Sequence, residues 1–413
     1  GRHPGPVAIA VANVTLLGGP GVAIVGRGTG SVVAITAPGV RVAECEVRGS
    51  GGDVMQIDAG VRLVNAPGAR FAGLVIHDVL YGIAAERSPD LVAERCDLTG
   101  RVWGAGDADQ MEAAFGNGIH LWASPGAVLS GNRVRRFEDA IYLSFADHVV
   151  ARGNVIEDNG RYGFHTMYCQ GTAIDSNVFR RDLAGSAIMF SNHLAVRGNR
   201  IEHNRGPRTY GLLLRDCSDG VFEDNQLLDN TVALFLDNSN RNRIAGNLVE
   251  DNGWGVLLYS SCAGNVFTGN SFVNDDYPVA LDMRRTDNAF DDGRRGNYWS
   301  AAASYDLNGD GVGDVPYSPV SAFAFVSKQY PDLTVLSESP AVAALGVAER
   351  VIPALQPSEA VDHFPLVSPP LARRARTSGA ARASHRAQAL AAAGFGGVLA
   401  FGAWGIASPW RHA

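Results

Sequence analysis

The sequence predicts an all-β fold, a parallel β-helix with coils of about 22 residues, followed by an irregular C-terminal extension. Two repeated motifs and an excess of glycine indicate this fold. The chain has 413 residues and 49 glycines, well above an average glycine frequency of about 7%. Frequent glycine indicates many tight turns at short intervals.

The first motif is an asparagine that recurs through the middle of the chain. Successive members are 22, 23, 22, 26, 22 and 23 residues apart. The members are Asn132, Asn154, Asn177, Asn199, Asn225, Asn247 and Asn270. An asparagine at one position of every coil can form a ladder in which its amide bonds the next turn. We therefore assign these residues a structural role.

The second motif is a Gly or Ala followed by an apolar residue and a short alternating run. Examples are Gly118-Ile119, Ala140-Ile141, Gly163-Phe164, Ala187-Ile188, Gly211-Leu212, Ala233-Leu234 and Gly255-Val256. Alternating Val, Ile and Phe punctuated by Gly, Asn and Asp are typical of strands rather than helices. Leucine-rich repeats have a similar period, but their regular leucine spacing is missing here.

Composition narrows the class of protein. Charged residues make up 19% of the chain and hydrophobic residues 46%, which excludes a disordered chain. The net charge of −7 argues against a nucleic-acid partner. Five cysteines are too few for a disulfide scaffold, and none forms a C-x-x-C pair.

We expect four regions along the chain. They are a β-helix repeat domain over 1–317, an extension over 318–372 that offers a partner-docking segment, a basic linker over 373–386 and an apolar tail over 387–413. Residues 387–410 carry no charged side chain, and this length can span a bilayer. A membrane segment and a disordered tail are the two alternatives for the tail.

Strand alternation assigns side chains to faces of the coil, because successive residues point to opposite sides. With the residue after each Gly or Ala pointing inward, His120, His165 and Met189 fall in one outward column. Met167 lies beside them in the next column. Cys169, His193 and Cys217 share a column at the strand ends.

Imidazole and sulfur ligands with little charge suit Cu(I). We therefore predict a Cu(I) site from His165, Met167, Met189 and His120, with Cys169, His193 and Cys217 as weaker candidates. The alternative is structural: a lone histidine is commonly hydrogen-bonded, a methionine commonly packs, and the outward apolar residues could lie under the C-terminal extension.

An acidic loop follows the repeats. Asp306, Asn308, Asp310 and Asp314 are spaced like the oxygen ligands of an EF-hand loop, but Tyr317 replaces its final glutamate. The loop is a candidate Ca²⁺ site, and an Asx-rich turn without metal is the alternative.

These motifs together resemble the NosD family. The matching stretches are Gly116–Trp122, Arg161–Tyr168, Ala187–Ser191, Gly296–Ser300, Asp306–Asp314 and Pro316-Tyr317. The resemblance implies an exported, right-handed β-helix protein required to mature the copper centre of nitrous-oxide reductase. His165, Met167 and Met189 match the family's soft-donor coils, and His120 matches its Gly-Ile-His-Leu-Trp coil.

The resemblance also implies a location and partners. We expect a periplasmic protein associated with the membrane through an ABC transporter permease and ATPase complex, and through the tail if it inserts. It would receive Cu(I) from a copper chaperone lipoprotein and pass it to apo nitrous-oxide reductase, without catalytic residues of its own.

Two other functions stay open. A carbohydrate-active lyase, hydrolase or epimerase could use the same fold, but such chemistry needs suitably placed carboxylates. Arg215 and Asp237 are the candidates on the central coils and are not clearly paired in the sequence. A purely structural docking scaffold would bind the transporter without metal affinity.

Overall fold

The computed structural model divides the chain into two units, Gly1–Leu371 and Ala372–Ala413. The described residues are 1–101, 116–283, 285–302, 304–329, 333, 339–351 and 359–370. The predicted linker over 373–386 and apolar tail over 387–413 lie outside the described residues. In the part of the chain that is described, no helix has the length and apolar character to cross a membrane.

The predicted parallel β-helix is confirmed. The first unit is a solenoid of three parallel sheets, here called A, B and C, and the 12 strands of sheet B mark about twelve turns. Sheet A consists of β1 (Arg2–Pro4), β4 (Ala23–Val25), β7 (Glu46–Arg48), β10 (Val75–Val79), β13 (Asp97–Gly100), β16 (Arg133–Arg135), β19 (Val155–Glu157), β22 (Val178–Arg180), β25 (Arg200–Glu202), β28 (Gln226–Leu228), β31 (Leu248–Glu250), β34 (Ser271–Val273) and β36 (Tyr298–Trp299).

Sheets B and C supply the other two strands of each turn. Sheet B consists of β2 (Val7–Ile9), β5 (Val33–Ile35), β8 (Ala59–Val64), β11 (Tyr81–Glu86), β14 (Ile119–Trp122), β17 (Asp139–Ser144), β20 (Tyr162–Met167), β23 (Ala184–Met189), β26 (Tyr210–Arg215), β29 (Val232–Asp237), β32 (Trp254–Leu258) and β35 (Tyr277–Leu281). Sheet C consists of β3 (Thr15–Leu17), β6 (Arg41–Ala43), β9 (Arg70–Ala72), β12 (Val92–Glu94), β15 (Val128–Ser130), β18 (Val150–Arg152), β21 (Ala173–Asp175), β24 (Ala195–Arg197), β27 (Val221–Glu223), β30 (Arg243–Ala245) and β33 (Val266–Thr268).

One continuous apolar core fills the solenoid. Strand alternation turns one set of side chains inward, and Phe164, Phe179 and Phe222 from three different strands are almost completely buried. Burying such a side chain contributes about 1.5–3 kcal/mol. The repeated coil therefore supplies its own core, and the outward positions are left free to vary.

The predicted asparagine ladder is present. From Asn132 to Asn297, the Oδ1 of each member accepts a hydrogen bond from the backbone N–H of the member before it, at 2.9–3.1 Å. Gly153 and Gly198, which precede two members, have φ of 63° and 61°, a conformation that glycine adopts without strain. Gly163 has a different reason: a Cβ there would lie 2.5 Å from the carbonyl oxygen of Gly185.

A second ladder contains two aspartates. Its members are Asn159, Asp182, Asn204, Asn230, Asn252 and Asp275, each accepting from the backbone N–H of the one before it. Asp182 is buried and Asp275 is partly buried. The Oδ2 atoms of both are buried and have no hydrogen-bond partner among the described residues. Burial raises the pKa of Asp182 to about 8, so its carboxyl group holds a proton at neutral pH.

The register of one coil corrects our prediction. We expected Met189 to lie beside His165 on the neighbouring coil. In the structure Ala187 pairs with His165, and Met189 pairs with Met167. The coil is displaced by two residues from the predicted alignment.

A polar residue in the core caused the wrong alignment. The inward position that pairs with Phe164 is Ser186, which is fully buried, rather than Ile188. Gly185 marks the correct alignment, because it lies 22 residues after Gly163. Ala187-Ile188, two residues further on, also fits the motif of Gly or Ala followed by an apolar residue, and the coil was aligned on it for that reason.

The C-terminal extension is partly helical. The helices α1 (Ala322–Gln329) and α2 (Pro340–Val351) pack together, and α1 contacts β35, where the ring of Phe323 lies 6.1 Å from that of Tyr277. Residues 359–370 return to the last coil. There the buried Asp362 carboxylate accepts hydrogen bonds from Trp299 Nε1 at 2.8 Å and from a backbone N–H.

Candidate metal centre

The outer face of sheet B holds a histidine that is fixed by a buried carboxylate. Asp139 is fully buried, and its Oδ2 lies 2.9 Å from His165 Nδ1. Arg161 donates to both oxygens of the same carboxylate, from Nε at 2.8 Å and from Nη2 at 2.6 Å. The three side chains come from neighbouring coils, because β17 pairs with β20.

The charge state of Asp139 follows from these contacts. Burial alone acts to raise the pKa of its carboxyl group, but the hydrogen bonds from Arg161 and His165 outweigh that effect, and the pKa lies below its ordinary value. The ionised carboxylate accepts a hydrogen bond from Nδ1–H of His165. In a neutral imidazole held this way, Nε2 is the nitrogen that has a lone pair for a ligand.

Nε2 of His165 is buried and, among the described residues, has no hydrogen-bond partner. The rings of Tyr142 and Tyr162 flank the imidazole, with centroids 5.0 and 4.9 Å away in edge-on arrangements. A buried polar atom without a partner is unfavourable unless a ligand supplies the missing interaction. An imidazole whose other nitrogen bonds a carboxylate is the usual arrangement of a metal-binding histidine.

Two methionines lie beside this histidine. Met167 is the next outward residue on β20, and its Cα pairs with that of Met189 on β23. Both side chains are partly buried, and Met189 packs against an outer apolar cluster that contains Leu213 and Phe235. A flexible thioether can reach across the distance of about 7 Å between alternate residues of a strand.

His120 lies apart from this group. His120 is on β14, and Tyr142 of β17 lies between the two histidines. The ring of Tyr142 stacks on that of His120, with centroids 5.0 Å apart. Two coils separate the histidines, about 10 Å at the usual strand spacing. Burial, reinforced by the charge of Arg62, lowers the pKa of His120 to about 4, so the imidazole is neutral at pH 7.

The structure does not bring Cys169, His193 and Cys217 to the outer face together. Both thiols are buried, and each Sγ donates to a backbone carbonyl oxygen. Burial raises the pKa of Cys169 to about 11 and that of Cys217 to about 12. Ser191, rather than His193, lies between them, because its Oγ accepts from the backbone N–H of Cys169. His193 is exposed in the turn that follows β23.

The acidic loop uses its oxygens internally. Asp306 accepts from the backbone N–H groups of Gly309, Asp310 and Gly311. Asn308 Oδ1 accepts from the backbone N–H of Asp310, while Asp314 Oδ2 accepts from that of Leu307. These bonds form the Asx-rich turn, and Ca²⁺ binding by Asp306, Asn308, Asp310 and Asp314 stays a prediction.

No group of three or more His, Cys, Asp or Glu side chains within the described ranges is arranged to hold a metal ion. A centre at His165 would therefore depend on methionine sulfur. A site with one imidazole and two thioethers suits a soft monovalent ion such as Cu(I).

Sequence reasoning missed Asp139 and Arg161. Asp139 is aligned with Tyr162, Ala184 and Tyr210 on the following coils. The sequence signal for a special role was a carboxylate at a position where the following coils have aromatic or small residues. Its partner Arg161 lies in the turn before β20, where strand alternation gives no direction.

Comparisons with known proteins bear on the family and the fold of this chain. A family model described as "Periplasmic copper-binding protein (NosD)" matches residues 105–304. The "Probable ABC transporter binding protein NosD" of Pseudomonas aeruginosa is 30% identical over 364 residues, which cover 84% of this chain and 82% of that protein. The protein of the same description from Stutzerimonas stutzeri is 31% identical over 367 residues, with 85% and 82% coverage.

Solved structures align with this chain at low sequence identity. The Dettilon tailspike protein aligns with a TM-score of 0.50 and 12% identity, covering 65% of this chain and 59% of that chain. A DFA-IIIase from Arthrobacter chlorophenolicus aligns with a TM-score of 0.48 and 12% identity, covering 67% and 82%. At these identities the likeness concerns the fold alone.

Proposed function

This protein belongs to the NosD family of periplasmic copper-binding proteins, and on that basis we propose that it carries Cu(I) as cargo to nitrous-oxide reductase without catalysing a reaction. Its partners are an ABC transporter permease and ATPase complex, a copper chaperone lipoprotein that supplies the metal, and the apo-reductase that receives it. Association with the transporter holds it at the periplasmic side of the membrane, and the apolar tail is a second candidate anchor.

One observation carries the proposal. The Nδ1 of His165 is held by Asp139 at 2.9 Å while its buried Nε2 has no partner among the described residues. A histidine in this state presents a lone pair that a metal ion can use without first displacing a hydrogen bond. Met167 and Met189 lie on the same outer face and add thioether sulfur.

The donor set suits transient carriage. Thioethers and a neutral imidazole are uncharged ligands for a monovalent soft ion, so the complex carries only the charge of Cu(I). Because Nε2 is covered in the structure, loading requires a movement of the side chains around it, among them Tyr142 and Tyr162. Release to a partner reverses the same movement.

Asp139 and Arg161 act as positioning residues. Asp139 fixes the ring of His165 and its tautomer, and Arg161 holds the carboxylate through two hydrogen bonds. Such outer partners set the orientation and basicity of a metal-binding imidazole. His120, neutral at pH 7 and two coils away, is a second Cu(I) contact along the same face rather than a ligand of the same ion.

A Cu(I) titration against a competing chelator tests the proposal. We expect one equivalent to bind the wild-type chain, and His165→Ala, Met167→Ala and Met189→Ala each to weaken binding at least tenfold. Met55→Ala is the matched control, because Met55 is 87% exposed and lies on an early coil. Wild-type affinity in all three site variants would contradict the site.

The Asp139 and His165 pair also supports a second candidate, a carbohydrate-active enzyme. A carboxylate that orients an imidazole with a free Nε2 is the arrangement of a general base. Incubation with uronic-acid polymers tests this: product formation that His165→Ala abolishes would favour the enzyme over the copper carrier.

A further inference from the structure

Three aromatic rings form an exposed stack beside the candidate copper site. Phe145, Tyr168 and Phe190 are 55%, 46% and 36% exposed. The ring of Tyr168 lies 5.1 Å from that of Phe145 and 5.0 Å from that of Phe190, with interplanar angles of 9° and 13°. We call these three residues the aromatic ladder.

The three residues of the aromatic ladder occupy a turn position that favours other residue types. Each member follows the last residue of a sheet B strand and has a φ between 50° and 57°. This left-handed conformation favours Gly, Asn and Asp over bulky residues. The next two coils have Asp216 and Asn238 at the same point, as the turn alone would select. The three aromatic residues are therefore not explained by the turn.

The ladder is continuous with the proposed copper donors. Tyr168 directly follows Met167, and Phe190 directly follows Met189. Consecutive Cα atoms are about 3.8 Å apart. A protein that brings a Cu(I) ligand to either sulfur therefore approaches a point next to the ladder.

Charged and polar groups border this apolar strip. On one side the guanidinium of Arg87 lies over the ring of Trp122, at 5.5 Å. On the other side Arg215 and Asp237 form an ion pair at 3.2 Å. Aromatic residues and methionine in the middle with charges at the edge are the composition of a protein interface. A strip only three coils wide, about 10 Å, suits a transient contact rather than a permanent one.

We propose that the aromatic ladder is the docking surface for the protein that hands Cu(I) to Met167 and Met189, a carrier whose own soft donors lie in an apolar surface. The inference rests on the proposed function. It adds where the handover takes place and which residues determine that copper arrives from a protein rather than from solution.

The test compares two sources of Cu(I) with the full-length chain. One source is the Cu(I) complex of bicinchoninate, a diffusible chelator, and the other is the Cu(I)-loaded copper chaperone lipoprotein in its soluble form. The variant is Phe145→Asn, Tyr168→Asn and Phe190→Asn together, because asparagine is the residue that the same turn has at position 238. Stopped-flow absorbance measures the rate of Cu(I) uptake.

We expect the triple variant to take Cu(I) from the chelator at the wild-type rate and from the chaperone at least tenfold more slowly. An unchanged rate from the chaperone would overturn the docking surface. An equal loss from both sources would overturn it as well, because the ladder would then shape the metal site itself. If the wild-type chain takes Cu(I) from neither source, the proposed function fails, and this inference fails with it.

Two controls separate docking from folding. Leu17→Asn, Tyr305→Asn and Leu307→Asn together remove apolar side chains that are 68%, 62% and 87% exposed elsewhere, and should leave both rates unchanged. A photo-crosslinking amino acid at position 168 of the otherwise wild-type chain should link to the loaded chaperone, and the same group at position 305 should not. Equal crosslinking at both positions would overturn the proposal even if the triple variant did not fold.

Discussion

The outer face of sheet B is polar along β14, β17 and β20 but apolar along β26, β29 and β32. The outward column reads His120, Tyr142 and His165 in the first stretch, and Leu213, Phe235 and Leu257 in the second. The pairing of the strands, the asparagine ladder and the inner core continue unchanged through both. The strands, ladder and core are therefore common to both stretches, and only the outward residues distinguish a candidate site from a packing surface.

Met189 lies at the boundary between the two stretches. Its Cα pairs with that of Met167 on the polar side, while its side chain packs against the apolar cluster on the other. If the polar stretch holds the copper site and the apolar stretch only packs, substitutions on the polar stretch alter both stability and copper affinity. Substitutions on the apolar stretch alter stability alone.

The largest effect is expected for Asp139→Asn. It removes a buried negative charge that holds both Arg161 and His165, and we expect a loss of about 3 kcal/mol in the free energy of unfolding. This is at the lower end for a buried ion pair, because the Arg161 side chain is 38% exposed. Cu(I) affinity should fall about 10–100-fold, the usual effect of losing such a positioning partner.

Asp237→Asn is the matched control for that variant. Asp237 pairs with Arg215 at 3.2 Å, but the Asp237 and Arg215 side chains are 29% and 47% exposed, so the loss should stay below about 1 kcal/mol. Urea unfolding and chelator competition measure both variants. Equal effects of the two substitutions would show that Asp139 contributes no more to stability and Cu(I) affinity than the carboxylate of a surface ion pair.

Phe235→Ala tests the apolar stretch. Phe235 is 4% exposed, and its ring lies 5.1 Å from Tyr210 and 5.2 Å from Tyr259. The cavity should lower the free energy of unfolding by about 2 kcal/mol, less than in a fully enclosed core. Cu(I) affinity should not change, and a tenfold drop measured by chelator competition would show that the two stretches are coupled.

Asp182→Asn should stabilise the protein. Its carboxyl pKa is raised by burial to about 8 in the folded chain, whereas it titrates near 4 when unfolded. The wild-type carboxyl is therefore tolerated below about pH 4, and its contribution to stability is lost as pH rises toward 8. Because an amide does not titrate, the variant avoids this loss, and its free energy of unfolding should exceed that of the wild type by at least about 1 kcal/mol at pH 8 and by less at pH 5.

Asp275→Asn supplies the comparison for Asp182→Asn. Burial also raises the pKa of Asp275, and it belongs to the same ladder but adjoins the apolar stretch. If the ladder is built in the same way along both stretches, thermal unfolding at several pH values should show stabilisation of the same sign for both variants. Opposite signs would mean that the ladder differs between the two stretches.

The sequence was sufficient for the fold because the period of the asparagines and the alternation of apolar residues are local patterns. The same alternation correctly placed His165 and Met167 on the outer face. It could not reveal Ser186 as a buried polar residue, so Met189 was assigned the wrong neighbour. Nor does alternation alone give Asp139 a role, because that role depends on hydrogen bonds from Arg161 and His165 on the following coil.

X-ray absorption spectroscopy at the copper edge, on the full chain loaded with one equivalent of Cu(I), tests the central claim most directly. We predict one nitrogen and two sulfur ligands, with the nitrogen contribution lost in His165→Ala and one sulfur lost in Met167→Ala. A spectrum without sulfur ligands, or one that neither substitution alters, would contradict a copper site on the outer face of sheet B.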